Sequence, residues 1–153
     1  MAGKGIAMIS DLLQGIVDSV FNLYGGKVPI YITQMKQDFT APCFFIEFVD
    51  STPVQDLNNR YHSDITFQVS YYPEEDESGS PDYLDVSKQI MPLEMALHEI
   101  TLRDGSLIRS KETQSTINDN ILHVSVTYEI HYYVPPVKAP LMQTLKQNQT
   151  TKE

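Results

Sequence analysis

The chain has one cysteine, no tryptophan, and only 11 lysines and arginines among 153 residues. Each shortage excludes something. A single thiol cannot close an intrachain disulfide, so the cross-linked scaffold of a small secreted protein is ruled out. Cys43 sits in the apolar run Pro42-Cys-Phe-Phe-Ile46. There a thiol packs as a small hydrophobe, and a buried structural role is expected. The few cations face 20 carboxylates, which leaves a net charge of −9. A surface this acidic disfavours gripping a phosphate backbone, because that task needs clustered Lys and Arg. It is compatible with lining a path along which DNA passes without adhering. No apolar run approaches the ~20 residues of a membrane helix. Met1 to Ser10 has one lysine and no uninterrupted apolar core, so it does not read as a signal peptide. Synthesis in the cytosol is expected, with no membrane partner.

What is present is a strong period-two signal. In residues 121–134 the even positions are Leu122, Val124, Val126, Tyr128, Ile130, Tyr132 and Val134. Between them stand His123, Ser125, Thr127, Glu129 and His131. Such alternation marks a long strand with one dry face and one polar face. A second such strand is predicted over Arg60 to Tyr72. Its apolar set is Tyr61, Ile65, Phe67, Val69 and Tyr71, and its polar set His62, Asp64, Thr66, Gln68 and Ser70. A polar face on a central strand calls for water, a lumen or a neighbouring subunit.

The remaining elements follow from spacing and punctuation. Ile9, Leu12, Leu13, Ile16, Val17, Val20, Phe21 and Tyr24 recur at helical spacing. They predict a helix over Ser10–Tyr24, capped by Ser10 or Asp11 and ended by Gly25-Gly26. A short edge strand is predicted at Ile30–Thr33 and another strand over Cys43–Asp50. A loop holding Pro53, Asp56, Asn58 and Asn59 should follow. Glu74 to Ser80 reads as an exposed acidic loop. Ser80-Pro81-Asp82 should open a helix reaching Leu102, with Pro92 kinking or breaking it near Met91. A strand over Leu107–Thr116 then turns at Asn118-Asp-Asn120. The order α-β-β-β-α-β-β predicts an α+β fold, with two helices on one face of a mainly antiparallel sheet of about five strands. Residues 1–136 form the domain. Residues 137–153, which include Leu141, Met142 and Leu145, read as a tail ordered only by a partner.

Catalytic and ligand motifs are weak. His123 and His131 lie eight residues apart on one strand, roughly 27 Å at the usual rise, and cannot share a metal. His62 could meet one of them across strands, but no further ligand set is evident. Asp64 and Glu129 could pair as carboxylates, yet no apolar pocket is indicated to raise one pKa. No nucleophile elbow, phosphate loop or calcium-loop pattern occurs. Asn148-Gln-Thr150 matches a glycosylation sequon, which means little in a cytosolic tail. No catalytic residue, metal or cofactor is therefore assigned.

Several segments together resemble the tail terminator family of contractile-tailed phages and of phage-tail-like particles from Gram-positive bacteria. They are Ile30-Tyr-Ile-Thr-Gln34, Pro42-Cys-Phe-Phe-Ile46, and Arg60-Tyr61 leading into Phe67-Gln-Val-Ser-Tyr-Tyr-Pro73. The others are Leu107-Ile-Arg109 and Asn120-Ile-Leu-His-Val124 running into Val126-Thr-Tyr128. The resemblance covers about residues 9 to 134, and Pro92 departs from the family's pattern. It implies a small α+β protomer that forms a six-fold ring on the head-proximal end of the tail tube and sheath. That ring would stop polymerisation and offer a head-joining or collar surface. The implied partners are other copies in a homohexamer, the tube protein, the sheath protein, and neck or head-completion proteins. The implied location is a virion or phage-tail-like particle assembled in the host bacterial cytoplasm. The family brings no catalytic residues. The candidate contact residues are then the polar strand faces, His62, Asp64, Thr66, Gln68, His123, Ser125, Thr127, Glu129 and His131, as a subunit or lumen-facing surface. Leu141, Met142 and Leu145 are the candidate partner-binding anchor. The competing readings are a neck or head–tail completion protein and a small ligand-binding domain or enzyme.

Overall fold

The structure is a computed structural model and describes residues 9–32, 40–75 and 83–136. Elements run α1 (Ile9–Leu23), β1 (Ile30–Tyr31), β2 (Cys43–Gln55), β3 (Arg60–Tyr72), α2 (Tyr83–Lys88), α3 (Ile90–His98), β4 (Glu99–Thr101), β5 (Leu107–Asn118) and β6 (Ile121–Tyr133). The sheet has six strands in the order β1-β2-β3-β6-β5-β4. The β1–β2 pair is parallel and the others are antiparallel, so the fold is α+β with a mixed sheet.

One face of the sheet carries the core. Phe44, Ile46, Ile65, Phe67, Val69, Tyr71, Leu122, Val124, Val126, Tyr128 and Ile130 are buried there with Leu12, Ile16 and Val20 of α1 and Leu93 and Leu97 of α3. The alternation read in β3 and β6 thus selects the face that excludes water. Polar groups lock the helices onto it. Tyr128 donates to the carbonyl of Leu97 at 2.6 Å. Tyr71 donates to Asp85 at 2.7 Å, Gln89 donates to Asp85 at 3.2 Å, and Tyr24 donates to Gln89. Burial, with the Asp85 charge nearby, pushes the Tyr24 hydroxyl up to about 12. Cys43 is buried as expected, and burial lifts its thiol to about 11.

Four boundaries differ from the sequence reading, each for a physical reason. The helix break falls at Gln89, three residues before Pro92. A proline ring crowds the carbonyl four residues back, here Lys88, and its missing N–H is harmless in a first helical turn. Pro92 therefore occupies the first turn of α3. The helix stops at His98 rather than Leu102, because Ile100 and Leu102 are buried in strand alternation and β4 pairs with Leu107–Arg109 of β5. Strand β2 continues through Pro53 to Gln55, where a loop was expected. β1 covers only Phe44 and Phe45, so beyond them β2 is an edge among the described residues and tolerates a missing donor. Finally, α1 already includes Ser10 and Asp11. Asp11 lies in its first turn, at the positive end of the helix dipole. Gly25 and Gly26 end α1 with φ of 62° and 74°, and the Gly26 N–H caps the Phe21 carbonyl at 2.9 Å. The opening of the second helix at Ser80-Pro81-Asp82, and Thr33 of the first strand, lie outside the described residues.

Candidate functional site

The register of β3 with β6 gathers all nine predicted polar residues on the face opposite the helices. His62 stands across from His131, Asp64 from Glu129, Thr66 from Thr127, Gln68 from Ser125, and Ser70 from His123. Such directly opposed side chains are the interacting unit of a sheet. Leu141, Met142 and Leu145 lie outside the described residues.

The middle of this face is neutral and hydrogen-bonded. Thr66 and Thr127 join hydroxyls at 2.9 Å. Ser70 meets His123 Nδ1 at 2.9 Å, and the Gln68 amide donates to the same nitrogen at 3.3 Å. An amide nitrogen can only donate, so Nδ1 of His123 accepts in this contact. Thr66, Gln68, Ser125 and Thr127 are half-buried by their neighbours.

Toward the β2–β3 turn the face becomes charged. Asp64 and Glu129 oppose one another, a costly like-charge pair unless a cation intervenes. Lys111 supplies it, its Nζ 2.8 Å from Asp64 Oδ2. The hydrogen bond to Asp64 holds the Lys111 ammonium above its usual pKa. Lys111 reaches this position because β5 bulges between Ser110 and Glu112. Bulges re-aim side chains in this way. The rings of His62 and His131 lie 5.6 Å apart. His62 Nδ1 meets Asp56 Oδ1 at 2.8 Å, and His131 Nε2 meets Glu129 at 3.2 Å. The bond to Asp56 raises the His62 pKa above 6.5, with Glu129 and Asp64 adding to it. Among the described residues no group of three or more His, Cys, Asp or Glu is placed to hold a metal ion.

Sequence reasoning missed Lys111 and Asp56 as members of this face. Lys111 carries no period-two signal, since the bulge shifts the alternation. Asp56 reads as an ordinary turn residue.

The other feature is a ribbon. β5 makes its last pair with β6 at Ser110↔Tyr128, while β3 and β6 pair on to Arg60↔Tyr133 and β2 and β3 to Gln55↔Tyr61. Three strands therefore extend past the fourth. On the ribbon Tyr61 and Tyr132 stack at 5.7 Å, and they help line a cavity of about 870 Å³. The chain leaves the ribbon at its tip, where Val134 N–H donates to the Asn59 carbonyl at 2.8 Å.

An α+β layer with one face sealed by helices and the other left polar and open defines a protein that presents a surface. The chain belongs to the phage tail terminator family, whose profile, described as phage tail terminator protein, matches residues 11–140. That family is structural, which makes the chain a virion-associated tail protein with a tail-terminating role. No curated protein matches the sequence. A solved chain known only by a sequence label aligns with 84% of this chain and 99% of its own length. Its identity is 13% and its TM-score 0.40, which carries no argument. No helix among the described residues is long and apolar enough to cross a membrane.

Proposed function

We propose that copies of this chain close into a six-fold ring on the head-proximal end of a tail tube, and of the sheath where one is present. The ring stops further subunit addition and offers the surface to which neck or head-completion proteins join. Family membership over residues 11–140 is the observation that carries this reading. The open sheet face supports it. Its half-buried neutral centre and its carboxylates at Asp64 and Glu129 suit a surface turned to a lumen or a neighbouring copy. Towards a lumen, the net charge of −9 lets DNA pass without being gripped. A closed ring needs heterologous contacts, with a different patch on each side of every protomer. The helix-covered face and the polar face differ in that sense. Assembly takes place in the host cytoplasm, with the tube and sheath proteins as partners.

Electron microscopy of tails from a deletion strain tests the proposal. Tails of uncontrolled length, or tails that fail to mature, are the expected result, because nothing then covers the growing end. Uniform tails of normal length would refute termination and favour a neck role.

A further inference from the structure

We infer that the β4–β5 turn of one copy seats in the ribbon-tip cavity of the next, with Asp104 on Arg60 and Leu107 against Leu57 and the tyrosines. The inference rests on the ring reading and names one contact within it.

The receptacle is the cavity of about 870 Å³, lined by Leu57, Arg60, Tyr61, His131, Tyr132 and Tyr133 among others. Its apolar rim is open, with Leu57 72% and Tyr133 52% exposed. Its charges are not equally free. Asp56, also in the lining, holds His62 Nδ1 at 2.8 and 2.9 Å through its two oxygens. His131 lies against Glu129 at 3.2 Å. Elsewhere Arg103, Arg109 and Lys111 each have a carboxylate partner within the chain. Arg60 forms no ion pair among the described residues. The cavity therefore joins an aromatic wall to a guanidinium that can grip a carboxylate with two parallel N–H bonds.

The occupant is indicated by charge and by place in the sheet. Copies that each carry −9 repel one another unless a cation of one meets an anion of the next. The β4–β5 turn supplies that anion beside an apolar group. Leu107 is 63% exposed, and Asp104 in the same turn forms no ion pair among the described residues. The Ser106 N–H donates to Asp104 Oδ1 at 2.8 Å and holds the carboxyl below its usual pKa, so the group stays ionised. A carboxylate has further acceptor positions for a guanidinium. The turn is already closed, because the Leu102 N–H donates to the Ser106 carbonyl at 2.8 Å and the Gly105 N–H to the Leu102 carbonyl at 2.9 Å. Little ordering cost then opposes docking. In the strand order, β2 and β4 lie toward opposite margins of the sheet. β5 runs antiparallel to β6, so its start lies toward the end from which the ribbon projects. Turn and cavity thus stand at opposite margins of one end of the sheet, the two different patches that a head-to-tail ring contact uses.

A charge swap in the full-length chain tests this. Arg60→Glu, Asp104→Arg and the two together are each expressed with the tail genes in place of the native chain. Both sites are exposed, so all three variants should melt as wild type does. Immunoblots of purified tails should show each single variant retained ~tenfold less than wild type, and the double variant restored to within about threefold. A single variant retained like wild type would overturn the contact and leave the ring reading intact. So would a double variant no better than the singles, which would mean that another tail protein fills the cavity. Differently tagged Leu57→Cys and Leu107→Cys chains give an independent measure. Oxidised tails should yield a mixed-tag disulfide dimer, since the native Cys43 is buried and does not compete. No such dimer on tails that contain both chains would also overturn the contact. Absence of the wild-type protein from tails would instead overturn the ring reading, and this contact with it.

Discussion

His62 shows how one contact sets a residue's titration. Its Nδ1 lies 2.8 Å from Asp56, and that bond holds the imidazolium above its ordinary pKa of 6.5, with Glu129 and Asp64 adding to the effect. A group whose folded pKa is raised stabilises the fold fully below its unfolded pKa, and the contribution fades as pH rises through the folded value. The titration midpoint of His62 followed by NMR should therefore lie above 6.5. Asp56→Asn should bring it down. The stability gap between wild type and Asp56→Asn should be widest below pH 6.5 and close at higher pH. A midpoint at or below 6.5 would contradict the observed geometry. That His62 has polar surroundings was legible from strand alternation. That its neighbour is His131 rather than His123 was not, because register is a property of two strands.

At the level of elements, α1 is seated by an absence. Gly15 is buried in the helix interior, where glycine costs roughly 0.5–1 kcal/mol relative to alanine. A Cβ there would lie 3.0 Å from Leu102 Cδ2 and 3.2 Å from Ile100 Cδ1. The glycine lets α1 approach β4. Gly15→Val should destabilise the protein by ~1–3 kcal/mol through overpacking. Gly15→Ala should be close to neutral, since the gain in helix propensity offsets a small shift of Leu102. Denaturant titration of both variants checks the pair. A Gly15→Val protein as stable as wild type would mean that α1 does not press on β4. Neither Gly15 nor β4 could be read from the sequence. Glu99 to Leu102 continues an apparently helical stretch, and only the partner Leu107–Arg109 makes it a strand.

On the scale of the whole molecule, one apolar cluster joins α1, α2, α3 and the sheet. Phe67 lies at its centre, fully buried and edge-on to Phe48 at 6.0 Å. Truncating it should be felt everywhere at once. Phe67→Ala is expected to cost ~3–5 kcal/mol by lost transfer and a residual cavity. Far-UV and near-UV signals should shift together, because no element has a core of its own. A cost under 1 kcal/mol would mean that the face assignment is wrong. The same cluster leaves the polar faces of β3 and β6 outside the core.

The sequence by itself determined which side of β3 and β6 is dry. Side-chain direction alternates within a strand whatever that strand pairs with. It also determined the stop of α1 at Gly25-Gly26, the turn at Asp119-Asn120 with φ of 55° and 60°, and the burial of Cys43. These outcomes depend on a few neighbouring residues. Tertiary structure alone decided what stands beside what. It aligned Asp64 with Glu129, brought Lys111 to Asp64 through a bulge, and faced His62 to His131. It also allowed Pro53 into a strand, because among the described residues no strand pairs with that stretch of the β2 edge. Such facts arise from contacts between residues tens of positions apart, and no local pattern encodes them.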